Sequence, residues 1–130
     1  MAKHLETGQL GENLAVNFLE TEGYRILHRN YRFGKAEADI IAWDEKRNEV
    51  VFVEVKTRST VRHEYPEQAV SKRKKELLYQ LADEYQYQEK LTRFPCRFDV
   101  IAIDFNDGSE PNVYHIFDAF REDRSVQNEH

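Results

Sequence analysis

The stretch Glu37-Ala-Asp39-Ile-Ile-Ala42-Trp-Asp44-Glu-Lys-Arg-Asn-Glu49-Val-Val-Phe52-Val-Glu54-Val-Lys56-Thr-Arg58 decides the reading of this chain. Two runs rich in β-branched and aromatic residues, Ala38–Asp44 and Val50–Thr57, flank a polar connection, Asp44–Glu49. Such runs form strands, and the polar spacer between them reads as a hairpin loop. A turn centred between Lys46 and Arg47 sets Asp39 opposite Glu54 and Glu37 opposite Lys56. Residues two apart share a face of a strand, so Glu37, Asp39, Glu54 and Lys56 are expected on one face at one end of the hairpin, with Ile41 and Phe52 continuing that face. A slip of one residue would undo this arrangement.

Two carboxylates opposed across a hairpin repel each other. A divalent cation removes that penalty. Mg²⁺ takes hard oxygen ligands, commonly one or two carboxylates completed by water and substrate phosphate. Asp39, Glu54 and the backbone carbonyl of Val55 are candidate ligands, and Lys56 supplies a fixed positive charge for phosphodiester chemistry. The competing reading is an ion-paired hairpin, Glu37 with Lys56 and Glu54 with Arg58, each pair contributing at most about 1 kcal/mol. The apolar flanks on both strands place the charges at a sheet and favour a site.

Outward from the hairpin, residues 7–22 read as a helix. Leu10, Leu14 and Phe18 recur every four residues beside Leu19, with Thr7 as N-cap and Gly23 at the C-terminal end. Gly8, Gly11 and Ala15 lie on one side, where small residues allow close packing on a sheet. An interior glycine costs about 1 kcal/mol relative to alanine, so a packing or functional reason is implied. Glu12 sits at the edge of that small-residue side and reads from its position as an ordinary boundary glutamate able to reach a sheet-borne site. Tyr24–Tyr31 reads as a first strand and Ser59–Pro66 as a polar loop. A second helix runs from about Glu67 to Glu89, its stripe Val70, Lys74, Leu77, Leu78, Leu81, Ala82 and Tyr85 apolar except for Lys74. Arg97–Asp104 is a strand, Asn106–Ser109 a turn and Val113–Phe117 a final strand. The long helix between the Val50 and Arg97 strands makes those two parallel. The expectation is an α/β fold with a mixed sheet of four or five strands flanked by helices, in one domain over residues 1–120 with a polar tail at 121–130.

The chain has 130 residues, enough for one core, with 40% apolar residues and a single cysteine, Cys96. One cysteine excludes an internal disulfide and a cysteine-rich zinc site. The first residues carry no secretory pattern and no segment approaches the ~20 apolar residues of a membrane span, so a cytoplasmic location without membrane attachment is expected. The net charge of −5 opposes indiscriminate nucleic-acid binding. Its distribution is uneven. Residues 25–35 hold Arg25, Arg29, Arg32 and Lys35 with no acid. Residues 56–75 hold Lys56, Arg58, Arg62, Lys72, Arg73, Lys74 and Lys75 against Glu64 and Glu67. A polyanion-binding face and two solvated basic stretches explain this equally well. The cations of Lys72–Lys75 near a helix N-terminus oppose the helix dipole, which favours a contact with phosphate.

The segments Gly8–Ala15, Phe18–Tyr24, Asn30-Tyr-Arg32, Glu37–Ala42, Val51–Arg58 and Arg97–Ala102 together resemble the YraN family, small bacterial proteins regarded as part of the PD-(D/E)xK nuclease superfamily. The resemblance covers residues 5 to 104. It implies a restriction-endonuclease-like core in αβββαβ order, also seen in Holliday-junction resolvases. It implies Glu12 as the helix-borne acid, Asp39 as the central metal-binding aspartate, and Glu54 and Lys56 as the Glu-x-Lys pair. Mg²⁺ or Mn²⁺ is the expected cofactor, and Arg32, Lys35, Arg58, Lys72, Arg73 and Lys75 of the two basic segments are the residues expected to meet the nucleic acid. Asp99 also matches and reads as structural. Ala36 departs from the family's usual glycine, so local backbone geometry is expected to differ there. The implied activity is DNA phosphodiester hydrolysis, with branched or damaged DNA as substrate class and a homodimer where two strands are cut. A non-catalytic nucleic-acid-binding module and a protein-interaction module are the alternatives, because fold does not settle function.

Overall fold

The computed structural model describes residues 2–58, 70–105 and 110–122, with side chains from residue 8 onward. The elements are α1 (Ala2–Thr21), β1 (Tyr24–Phe33), β2 (Ala36–Asp44), β3 (Glu49–Arg58), α2 (Lys72–Gln88), β4 (Cys96–Asp104) and β5 (Asn112–Phe120). The Ser59–Pro66 loop, the Asn106–Ser109 turn, the start of the second helix at 67–69 and most of the expected tail lie outside the described residues.

One five-stranded sheet runs in the order β1-β2-β3-β4-β5. The β3–β4 pair is parallel and the others are antiparallel. The fold is the expected α/β architecture with a mixed sheet and two helices, and it matches a restriction-endonuclease-like core. The hairpin register is also the expected one, with Ile40 opposite Val53 and Asp44 opposite Glu49. Between β1 and β2 the chain reverses over Gly34 and Lys35. Gly34 takes φ +61°, as the first central residue of a two-residue hairpin turn requires. Ala36 opens β2 as a buried residue and has no positive φ. The departure from glycine there leaves an ordinary strand backbone.

The helices cover opposite faces. Val50, Phe52, Phe98 and Val100 pack with Leu78, Leu81, Ala82 and Tyr85 of α2. Their strand neighbours Val51, Val53, Ile101 and Ile103 pack with Ala15 and Leu19 of α1. The period-two alternation of side chains thus feeds two cores, and β3 and β4 are apolar on both faces for that reason. The stripe of α1 differs from the Leu10-based expectation. Leu10 is 54% exposed, whereas Gly11, Ala15 and Leu19 face the sheet. Thr7 is not the N-cap, because α1 continues back to Ala2. Nothing in residues 2–6 breaks a helix, and alanine, lysine, leucine and glutamate all favour one. The N-cap of α2 is Ser71, whose hydroxyl accepts from the Lys74 N–H at 3.1 Å.

At Gly11 the backbone of α1 comes close to the sheet. A Cβ placed there would lie 2.1 Å from Thr57 Cγ2. Thr57 is β-branched on a strand and has little freedom to turn aside. Gly11→Ala is therefore expected to lower stability by about 1–2 kcal/mol in urea unfolding, overpacking outweighing the better helix propensity. An alanine variant more stable than the parent would show that α1 has room to lift.

Candidate active site

At one end of the β2–β3 hairpin the regular ladder stops. Its last pair at this end is Ile40 with Val53. Beyond it the Asp39 carboxylate takes the place of a backbone partner, Oδ2 accepting from the Val55 N–H at 2.8 Å. The alternation of β2 shifts at the same point. Ala38 and Ile41 pack toward α2, while Ile40 packs toward α1. Across the strand, Asn30 of β1 has φ +54°. The four-residue face expected from simple alternation is therefore not formed. Asp39 lies at the split end of the hairpin and opens into a cavity of about 480 Å³ on the α1 side, bounded by Gly8, Glu12, Asn13, Arg29, Asn30, Val55 and Thr57.

Glu54 projects toward α2. It is 3% exposed. Its Oε2 receives the ammonium of Lys74 and lies 3.7 Å from that of Lys56. Its Oε1 is buried with no hydrogen-bond partner among the described residues. A buried carboxylate oxygen without a donor is costly unless something positive meets it. Burial, followed by the Glu54 charge, raises the Asp39 pKa from 3.8 to about 7; the Val55 N–H and Lys74 pull it down, and Glu12 pushes it up. Burial alone would depress the Lys74 ammonium, but the Glu54 hydrogen bond and charge outweigh it, with Asp39 and Glu37 adding, so its pKa is raised. Asp39, Glu54 and Lys74 are thus one electrostatic group.

Glu12 bounds the Asp39 cavity as its place on α1 allows. Its Oε1 is held by Arg29 Nε at 3.0 Å, Arg29 Nη2 at 2.8 Å and Asn30 Nδ2 at 3.0 Å. The ion pairs of the competing reading are replaced by others. Glu37 lies 3.5 Å from Arg32, and Arg58 binds Asp104 at 2.8 Å. The expected phosphate-facing cations have different surroundings. Lys35 and Arg73 border a cavity of about 320 Å³ with Glu37, Ser71 and Lys74. Lys72 and Arg32 are exposed. Arg58 is engaged with Asp104, and the Lys75 ammonium sits 5.1 Å from the centre of the Phe120 ring.

Lys74 is the member of this group that sequence reasoning passed over as a ligand of the site. The signal was present, because it is the one charge in the apolar stripe of α2. A lysine in the first turn opposes the helix dipole, and the buried charge of Glu54 accounts for it there. The Asp39–Glu54 pair also suits a hard divalent ion. Two carboxylates match the usual protein share of a Mg²⁺ shell, and Glu54 Oε1 lacks any other partner. Val55 presents its N–H to Asp39, and the N–H and C=O of one strand residue leave on the same edge, so its carbonyl faces this side as well. Among the described residues no group of three or more His, Cys, Asp or Glu side chains converges on one point, so carbonyls, water and phosphate would complete such a shell.

The sequence pattern of the uncharacterised protein family UPF0102 matches residues 11–103. The chain belongs to the UPF0102 family. This is the family its motifs resemble under the name YraN. A UPF0102 protein of Trichlorobacter lovleyi is 42% identical over 113 residues, 87% of this chain and 88% of the relative. One of Bacteroides thetaiotaomicron is 44% identical over 120 residues, 92% of this chain and 96% of the relative. One of Flavobacterium psychrophilum is 42% identical over 120 residues, covering 92% and 98%. The UPF0102 match spans α1 through β4 and takes in Glu12, Asp39, Glu54, Lys56 and Lys74. No described helix is long and apolar enough to cross a membrane.

A second charged centre lies toward the turn end of the hairpin. Arg97, itself 5% exposed, donates to Asp44 at 2.7 Å, Glu49 at 2.6 Å, Asp99 at 3.0 Å and the Tyr24 hydroxyl at 2.8 Å. Asp99 also accepts from the Asp118 N–H at 2.9 Å and meets His115 Nε2 at 2.7 Å. That contact satisfies the backbone where the β4–β5 register shifts. The described hydrogen-bond partners of Asp99 are Arg97 of β4 and His115 and Asp118 of β5, so its contacts tie these two strands together.

Proposed function

We propose that this UPF0102 protein is a divalent-metal-dependent phosphodiesterase that hydrolyses DNA, with branched or damaged DNA as its substrate class. The observation that carries the proposal is the buried Glu54 carboxylate, with one oxygen unpartnered among the described residues and two lysines against the other. A binding or assembly module has no use for a buried acid cluster that repels phosphate.

In this reading Asp39, Glu54 and the Val55 carbonyl hold Mg²⁺ or Mn²⁺. When bound, the ion polarises the phosphate and lowers the pKa of water beside it. Lys56 faces the same carboxylate and places a positive charge where negative charge grows on the phosphorus oxygens. Lys35 and Arg73, across the small cavity beside Lys74, meet a phosphate of the strand. Lys72 and Arg32 add weaker, solvated contacts. Oε1 of Glu12 is already taken by three donors, so Glu12 chiefly orients Arg29 and Asn30 beside Asp39, and any share in a metal shell falls to Oε2.

The test is a nuclease assay on linear, flapped and four-way-junction DNA with Mg²⁺, Mn²⁺ or EDTA. Cleavage should require metal and be selective for one of these substrates. Asp39→Ala and Lys56→Ala should each fall to about 1% of the parent rate or less. Cleavage that persists in Asp39→Ala would overturn the mechanism. Salt-sensitive DNA binding without cleavage under any metal would instead support a binding module, and no DNA binding at all an interaction module.

A further inference from the structure

Two ammonium groups face one carboxylate in this site. Lys56 reaches Glu54 from the same strand and Lys74 from the first turn of α2. Phosphodiester chemistry assigns a role to one of them. The second is the closer to Glu54, is 40% exposed, and borders the cavity that holds Lys35 and Arg73. A lysine at this point has two physical consequences. It fixes Glu54 through Oε2 and leaves Oε1 buried without a hydrogen-bond partner among the described residues. It also sets a positive charge against any cation that Oε1 receives. At a separation of a few ångströms in a half-buried setting that repulsion is large compared with thermal energy. A phosphate entering beside Lys35 and Arg73 would neutralise the ammonium and remove the repulsion.

We propose that Lys74 is a positioning residue that holds Glu54 by one oxygen and makes divalent-ion binding depend on phosphate. The ion binds weakly while the Lys74 ammonium is unneutralised and tightly once a phosphate lies against it. The site then assembles on its substrate rather than before it. This rests on the metal-dependent reading of Asp39 and Glu54.

Mn²⁺ binding, followed by the loss of the free-ion EPR signal, tests it in the full chain. Parent, Lys74→Met, Lys74→Arg and Asp39→Asn are compared, with and without thymidine 5′-monophosphate, a phosphate that a phosphodiesterase does not cleave. Lys74→Met should bind Mn²⁺ alone about tenfold more tightly than the parent, and Lys74→Arg, which keeps the charge, within about threefold. The nucleotide should tighten Mn²⁺ binding severalfold in the parent and less than about twofold in Lys74→Met. A merely structural lysine would change the melting temperature in EDTA and leave Mn²⁺ affinity alone. Lys74→Gln replaces the methionine variant should that one fail to fold.

Parent binding that is lost in Asp39→Asn but unchanged or weakened in Lys74→Met would overturn the role of Lys74 and leave the metal reading standing. Parent Mn²⁺ binding that is absent even with the nucleotide present, or indifferent to Asp39→Asn, would overturn both.

Discussion

Arg97→Met is expected to lower the stability of the chain by about 3–5 kcal/mol, the largest loss from any single substitution described for this protein. The guanidinium is buried and satisfies Asp44, Glu49 and Asp99 at once, with Tyr24 on a further N–H. Its plane also lies against Phe117, 3.9 Å from the ring centre. Methionine fills much of the volume but leaves Asp99, 0% exposed, without its guanidinium, and Asp44, 3% exposed, with Arg47 alone. Uncompensated buried charge, not the lost packing, sets the size of the effect. Against a typical domain stability of about 5–15 kcal/mol, the expected result is a melting temperature at least about 10 °C lower.

Arg97→Lys should recover only part of this, since an ammonium cannot fork to three carboxylates. Pairing Arg97→Met with Asp99→Asn should cost less than the sum of the two single changes. The pH dependence has a defined sign. Burial would raise the Asp44 pKa, but hydrogen bonds from Arg97 and Arg47 hold it below its ordinary 3.8. A carboxylate depressed in the folded state stabilises above its unfolded pKa and loses that contribution as pH falls through the folded one. The gap between parent and Arg97→Met should therefore narrow below about pH 4. A methionine variant within about 1 kcal/mol of the parent at pH 7 would mean that the network contributes register and not stability.

Asp39→Asn should have the opposite effect on stability while removing the proposed activity. The Asp39 carboxyl titrates near pH 7 in the fold, against 3.8 unfolded, chiefly because it is buried and next because Glu54 is charged beside it. Between those values the folded chain holds a proton that the unfolded chain has released, so stability falls as pH rises from about 4 to 7. The penalty is complete above pH 7 and absent below the unfolded value. Asparagine cannot ionise, and its Oδ1 can still accept the Val55 N–H. In EDTA at pH 8 the variant should be more stable than the parent by about 2 kcal/mol. At pH 4 the two should agree within about 0.5 kcal/mol. Equal stability at both pH values would show that Asp39 carries no electrostatic strain, and would remove one reason to place a cation there.

The hairpin shows how far the amino-acid sequence reaches. Alternating apolar residues on both strands, with a polar connection between them, were enough to set the register that pairs Ile40 with Val53. A one-residue slip would exchange the side chains of a strand between the two cores and carry its charged residues to the other face. The parallel β3–β4 pair followed from the length of the helix between them, since a crossover of that size is what a parallel pair requires. The motif residues Glu12, Asp39, Glu54 and Lys56 could be named for the same reason: local pattern and family resemblance both act on contiguous segments.

Other features belong to tertiary structure alone. Strict alternation set Asp39, Glu54 and Lys56 on one face, but the ladder ends at Ile40 and Asp39 turns to the Val55 N–H. Alternation describes a paired strand and says nothing of where pairing stops. Lys74 was visible only as a charge out of place in an apolar stripe. Its partner lies twenty residues away on a strand, and which helix turn meets which strand depends on how α2 docks. Gly11 against Thr57, and Arg97 between three acids, are likewise contacts between distant segments. The two strands and the acids of the Asp39–Lys56 hairpin were written in its own residues; the buried surroundings that shift Asp39 and leave one oxygen of Glu54 unpartnered arise only when both helices close over the sheet and remove the water that would have screened those charges.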